Sequence, residues 1–305
     1  MIHEYALEPE LVATWVDRQA GRYFIDKFGL GRPRIVSRYP KRWKKLVWDA
    51  VKSDNDIERT RMVELLARLS EPKVQRQDAR WNPMAGWLDN AMDEHDRVPF
   101  HAILAQGNPH EHDRVLVAND LDDTLPFWRG LQGQSVSRSA TALAEAVAPM
   151  LRNAAEVLFV DPHFGPENRR HREPLREFLR ELIGARPGAL PSRVEVHCSA
   201  DRGATESFFR EECERRLPSI VPRGLRVELV RLSQRDGGER LHNRYILTDL
   251  GGVTFGVGLD EGDAADSDDV LLLDRAQYEK RWSQYASATP AFERTERPVA
   301  IEVSG

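Results

Sequence analysis

The stretch His242-Asn243-Arg244-Tyr245-Ile246-Leu247-Thr248-Asp249 sets an imidazole, a guanidinium and a carboxylate in the pattern H-x-R-x4-D. It follows an apolar run, Leu225 to Leu232, and itself reads as a strand. On a strand, residues two apart share a face, so His242 and Arg244 are expected to project together, with Tyr245, Leu247 and Asp249 turned away. An imidazole beside a fixed cation suits attack on a phosphate: the ring attacks or carries protons, and the cation binds the anionic oxygens. Arg offers those oxygens a planar fork where Lys would offer a point charge.

Further histidines are candidates for the second proton carrier that such chemistry needs. His163 follows Asp161-Pro162 at the carboxyl end of an apolar run, Ala154 to Val160, the usual place for functional groups in α/β sheets. His112 opens His112-Asp113-Arg114-Val115-Leu116-Val117-Ala118-Asn119, an H-x-R-x4-N echo of the later motif. His171 sits among Arg169, Arg170 and Arg172, an exposed-looking basic run able to assist phosphate binding. His197, beside Cys198 on a strand, reads as a packed residue. His110-x-His112 lacks further ligands, so no metal is assigned. No P-loop, dinucleotide glycine pattern or serine-hydrolase elbow is present.

The elements that must position these groups are legible around the motif. After the strand at Ala154 to Val160 comes a helix, Glu173 to Ile183, with Leu175, Phe178, Leu179 and Leu182 on one face. A strand (Arg193 to His197), a helix (Glu206 to Leu217) and the strand Leu225 to Leu232 follow. The motif strand and Gly252 to Gly258 close a β-α-β-α-β-β-β order, and the alternating tail Pro298 to Val303 reads as an edge strand. The acid-rich stretch Asp260 to Asp269 lacks calcium-loop spacing and reads as a flexible polar loop.

With its order of elements, the H-x-R-x4-D stretch resembles the H-x-K-x4-D motif of the phospholipase D superfamily, over roughly Ser137 to Asp274. The Asp-Pro-His-Phe turn at Asp161 resembles a turn common in such lobes. Two departures stand out: Arg244 replaces the lysine, and Gly256-Val257-Gly258-Leu259 stands where the family carries G-S-x-N. The resemblance implies a metal-independent phosphodiesterase without cofactor. His242 would form a phosphohistidine, Arg244 would hold the non-bridging oxygens, and Asp249 would orient the site. A second histidine would come from a partner chain's motif in a homodimer, or from His112 or His163. It implies substrates ranging from phospholipids to nucleic acids, with nuclease roles in bacterial DNA processing or defence against foreign DNA. The alternatives are an inactive lobe serving as a binding subunit in a larger complex, and a phosphodiesterase on a lipid or small phosphodiester.

The expected fold is α/β: a phospholipase D-like lobe over 135–305 with a mixed sheet flanked by helices, and an N-terminal half, 1–130, that is helix-rich or a diverged lobe. Thr124 to Gln134 is the best boundary. In the first half, Arg34 to Ser37, Phe100 to Gln106 and Arg114 to Ala118 read as strands. Trp43 to Lys52, Glu58 to Leu69 and Pro83 to Glu94 read as helices, and Gly107 to His112 as a hairpin connection. Arg38, Lys41, Arg42, Lys44 and Lys45, interleaved with Tyr39 and Trp43, form a candidate nucleic-acid patch: the cations neutralise phosphates and the rings offer stacking faces.

Of 305 residues, 41% are hydrophobic and 30% charged, which fits a soluble globular chain of one large or two ordinary domains. A net charge of −5 argues against a general nucleic-acid coat protein. No apolar run approaches the roughly 20 residues that span a membrane, and the start lacks a signal peptide's basic and apolar regions. Two cysteines, Cys198 and Cys213, suggest neither a disulfide framework nor a zinc site. A cytoplasmic, reduced setting is the expectation.

Overall fold

A computed structural model describes residues 1–72, 74–201, 204–287 and 290–303. The chain forms two compact units, Ile2–Leu131 and the residues from Gln132 onward, the latter including Met1. Both are α/β.

The N-terminal unit runs β1 (His3–Leu7), α1 (Pro9–Ala13), α2 (Arg18–Lys27), β2 (Arg34–Arg38), α3 (Trp43–Ala50), α4 (Asp56–Leu69), β3 (Val74–Gln75), α5 (Trp87–Arg97), β4 (Ala102–Ala105) and β5 (Val115–Val117). Its five strands are all parallel, in the order β3-β2-β1-β4-β5. Strand parity explains its two cores. Tyr5, Leu7, Val36 and Leu104 pack with Leu11, Phe24, Val47 and Leu65 on one face. Ala6, Ile103 and Ala105 pack with Trp87 and Ala91 of α5 on the other. A sheet covered on both faces explains why the strands are continuous apolar runs.

Two expectations are corrected here. β4 and β5 pair in parallel, so residues 106–114 are not a hairpin connection. The Asn108 side chain folds this loop back on itself. Its Nδ2 donates to the His112 carbonyl (3.0 Å) and Val115 carbonyl (3.3 Å), and its Oδ1 accepts from His112 N (3.0 Å). Second, Tyr39 and Trp43 offer no stacking faces: both are buried. The Tyr39 hydroxyl donates to the Asn90 carbonyl (3.2 Å), and Trp43 Nε1 donates to the Leu7 carbonyl (2.6 Å). Of the accompanying cations, Lys45 lies 3.6 Å from Asp49 and Arg42 lies over the Trp81 ring.

The same unit holds two histidines in contact, His3 and His101, with ring centroids 4.0 Å apart and the rings tilted by 36°. Burial pushes the His101 pKa down to about 4 and that of His3 to about 2, from an ordinary 6.5. Folded rings therefore stay neutral where unfolded ones take up protons. Stability is expected to be complete above about pH 6.5 and to fall as the pH drops toward 4. His101 alone removes about 2–3 kcal/mol. Urea titrations at pH 7 and pH 4.5 check this: unequal midpoints are expected, and His101→Phe should narrow the gap, leaving the part owed to His3.

The C-terminal unit runs β6 (Gly133–Ser137), α6 (Ala140–Asn153), β7 (Glu156–Val160), α7 (Arg169–Ile183), β8 (Arg193–Ser199), α8 (Glu206–Arg216), β9 (Arg226–Leu232), β10 (Arg244–Thr248), β11 (Gly251–Phe255), β12 (Ser267–Leu272), α9 (Arg275–Ala286) and β13 (Val299–Glu302). The eight strands form one mixed sheet in the order β13-β9-β8-β7-β10-β11-β12-β6. β7, β8 and β9 are parallel; β10 runs antiparallel to β7, and β11, β12 and β6 continue antiparallel. The tail β13 is an edge strand antiparallel to β9. In α7, Leu175, Phe178, Leu179 and Leu182 are buried along the expected stripe.

The acid-rich stretch is not a flexible loop throughout. Ser267–Leu272 is β12, paired on both sides, and Asp268 is buried beneath it. The Asp268 carboxylate accepts from Gly256 N (2.9 Å), Val257 N (3.1 Å) and Gly258 N (3.4 Å). Its charge is thus spent ordering the turn after β11. Among the described residues no helix is long and apolar enough to cross a membrane.

Candidate functional site

Antiparallel pairing builds the site. Because Tyr245 of β10 lies opposite Val160 of β7, the end of β7 meets the start of β10. This brings the Asp161-Pro162-His163 turn to Arg244. The exit from β11 adds Val257 and Asp260, the start of α7 adds Asn168, Arg170 and His171, and the β6–α6 junction adds Arg138. Together they line a cleft of about 440 Å³.

Each carboxylate in the cleft has an assigned duty. Asp161 ties the turn together, its Oδ1 accepting from His163 N (2.9 Å) and its Oδ2 from Leu259 N (2.9 Å). Asp260 is buried and neutralises two arginines: it accepts from Arg138 Nη2 (2.7 Å) and from Arg170 Nε (2.6 Å) and Nη2. Arg244 differs. Among the described residues its guanidinium has no hydrogen bond and no ion pair, and its Nε is buried without an acceptor. A buried donor left unmet is costly unless something arrives to meet it.

Two imidazoles share the cleft. His163 is exposed on the turn, and its side chain makes no hydrogen bond among the described residues. His171 is buried; its Nδ1 accepts from Gly165 N (2.9 Å), which leaves the proton of the neutral ring on Nε2, 4.0 Å from Asp260 Oδ2. The arrangement can receive a tetrahedral anion on Arg244, with Arg138 and Arg170 behind it and two rings to move protons.

Several sequence expectations are corrected. The strand begins at Arg244, so His242 lies before it. His242 is exposed, its Nδ1 3.3 Å from the Arg240 carbonyl oxygen, and it is not among the residues lining the cleft. Strand parity does not carry across a residue outside the strand. Asp249 lies beyond the other end of β10, where its Oδ1 accepts from Ala155 N (2.8 Å) and Glu156 N (3.1 Å); it anchors the start of β7, and burial raises its pKa. His112 belongs to the N-terminal unit, its ring against His95 and its Nδ1 accepting from Arg114 N (3.1 Å). Arg38, Lys41, Arg42, Lys44 and Lys45 also lie in that unit. His171 is buried, not exposed, because α7 starts four residues before the expected Glu173. His197 is fully buried, its Nε2 2.5 Å from Glu195 Oε2, as a packed residue should be.

Sequence reasoning missed Arg138, Asn168 and Asp260 as cleft residues. Arg138 and Asp260 are 122 residues apart, so no local pattern signals their pairing. Among the described residues there is no group of three or more His, Cys, Asp or Glu side chains able to hold a metal ion.

Asp260→Asn is expected to act in opposite directions on fold and ligand. Removing a buried partner of Arg138 costs about 3 kcal/mol of stability, while two unmasked guanidiniums tighten phosphate binding several-fold. Chemical denaturation and phosphate calorimetry on the same preparation test both halves.

No family model matches the chain. No curated protein matches it either.

Proposed function

We propose that the C-terminal unit is a phospholipase D-like lobe whose cleft binds the phosphodiester of a nucleic acid and hydrolyses it without metal. The observation that carries this reading is Arg244, a guanidinium in a cleft with no protein partner among the described residues. Arg138 and Arg170 are already balanced by Asp260, so Arg244 is the cation left for a ligand. The non-bridging oxygens sit on Arg244. A ring nitrogen of His163 attacks phosphorus and the P–O bond to the leaving group breaks; His171, entering as the imidazolium with its Nδ1–H toward the Gly165 carbonyl oxygen (3.4 Å), gives its Nε2 proton to the leaving oxygen and becomes neutral. Water then gives a proton to His171 and attacks phosphorus, releasing His163. Both histidines come from one chain, so this route needs no second copy.

A second reading is binding without turnover. It is favoured by His242 standing outside the cleft and by Val257 lining it with an apolar side chain. The experiment is cleavage of labelled single- and double-stranded DNA and RNA in EDTA, with His163→Ala and His242→Ala beside the parent protein. Cleavage lost in His163→Ala and kept in His242→Ala supports hydrolysis as described. Salt-sensitive binding without cleavage selects the second reading. Neither binding nor cleavage removes both.

A further inference from the structure

The N-terminal unit holds a cleft of its own, about 260 Å³, between α2 and α4. Its rim carries Arg18 and Arg22 from α2 and Arg61 and Arg68 from α4. Spacings of four and seven residues place each pair on one helix face. Among the described residues none of these four side chains has a hydrogen bond or ion-pair partner. Elsewhere in the chain, exposed arginines commonly pair with acids on their own helix, as Arg180 does with Glu177 and Arg215 with Glu212. The cleft does contain two carboxylates, Asp17 and Glu64. Asp17 is engaged as the α2 cap, accepting from Gln19 N (2.9 Å) and Ala20 N (3.0 Å).

Beneath the rim lie Trp15, Ile25 and Leu65. Trp15 is 3% exposed, and its indole Nε1 has no hydrogen-bond partner. One of its faces is taken by Phe24, stacked at 4.0 Å. An apolar floor with an unmet donor, under four guanidiniums that outnumber the two carboxylates, is half of a recognition site: its donors and positive charge exceed its acceptors.

We propose that this cleft binds a nucleotide through a terminal phosphate, with the phosphate on the arginine rim and the base against Trp15, Ile25 and Leu65. Four arginines against two carboxylates leave a surplus of two positive charges, which matches a phosphomonoester carrying about −1.5 to −2 at neutral pH. A phosphodiester inside a strand carries one. The nucleotide is free or is the phosphorylated end of a strand; the recognised group is the same. The inference is independent of the C-terminal cleft.

The test uses the full chain carrying Arg244→Ala, so that occupancy of the other cleft does not contribute. Adenosine monophosphate, inorganic phosphate, and an oligonucleotide with and without a terminal phosphate are titrated by calorimetry at low ionic strength. Adenosine monophosphate is expected to bind more tightly than inorganic phosphate. Arg22→Ala and Arg61→Ala each weaken it by about tenfold, and Arg22→Lys recovers part of the loss. Both arginines are exposed, so folding is not at issue, and circular dichroism confirms it. Binding of the end-phosphorylated strand alone upholds the site and assigns the strand end as its source. The proposal is overturned if neither phosphorylated probe binds, if both arginine variants bind as the parent does, or if the unphosphorylated strand binds equally well.

Discussion

Arg76→Met is expected to cost the N-terminal unit about 3–5 kcal/mol, enough to unfold it under mild denaturing conditions. The Arg76 side chain is fully buried. Its Nε and Nη2 donate to the two Glu4 carboxylate oxygens at 2.8 and 2.7 Å, and its Nη1 donates to Glu94 Oε1 at 3.2 Å. It also donates to the Val98 and Pro99 carbonyls and lies 3.6 Å over the Phe100 ring. One side chain, in the segment after β3, thus joins β1 to the last turn of α5 and to the residues that follow it. Methionine fills much of the volume but leaves the buried Glu4 carboxylate with no counter-charge. Glu94 suffers less, because Arg97 still donates to both its oxygens. The asymmetry gives the sharper test. Replacing both members of a buried pair by apolar residues is often near neutral, so Glu4→Leu added to Arg76→Met should recover most of the loss, whereas Glu94→Leu should recover little. Urea midpoints for the three proteins measure this. A single variant within about 1 kcal/mol of the parent contradicts the account.

That buried arginine marks where sequence reading stops. β7 is legible because Val157, Leu158, Phe159 and Val160 are buried on both faces, and such strands show as continuous apolar runs. The α7 stripe and the alternating tail are legible for the same reason: burial of one face writes a period into the sequence. β12 hides because Ser267-Asp268-Asp269 looks like a solvated loop, yet Asp268 is buried with its charge met by backbone N–H groups. β6, Gly-Gln-Ser-Val-Ser, has no apolar pattern and forms by pairing with β12. α2 leaves no apolar stripe either, since of its ten residues only Gly21 and Phe24 are buried. At the cleft, Arg244 is visible as a motif residue, but the arginines it stands beside are not. Asp260 gathers Arg138 and Arg170 from segments far apart in the chain, and only tertiary structure shows that these two are neutralised while Arg244 is not. His242 marks the limit in the other direction. Its predicted partnership with Arg244 rests on strand parity, and the strand starts two residues too late.

Arg244→Ala is expected to weaken phosphodiester binding by about 10- to 100-fold while leaving stability unchanged or slightly raised. The two halves have one cause. A charge-assisted contact to a ligand oxygen contributes about 1.5–3 kcal/mol, and Arg244 spends none of its donors on the protein among the described residues. Removing it breaks no native bond and deletes a buried Nε that has no acceptor. Arg170→Ala provides the contrast. That arginine is bonded to Asp260, so its loss should perturb the cleft's structure and charge balance but weaken binding by less than the loss of Arg244. Arg244→Lys should keep much of the affinity, since the charge remains, and lose the part owed to the planar fork. Binding of a short single-stranded oligonucleotide, followed by anisotropy across a salt series, separates these terms. The parent should lose affinity steeply with salt, and Arg244→Ala should lie lower with a shallower slope, having one phosphate contact fewer. Equal affinities and equal slopes for parent and Arg244→Ala would remove the cleft from any role in anion binding. An affinity lost together with stability would show instead that Arg244 holds the fold, which the absence of any bond from its guanidinium to the described residues argues against.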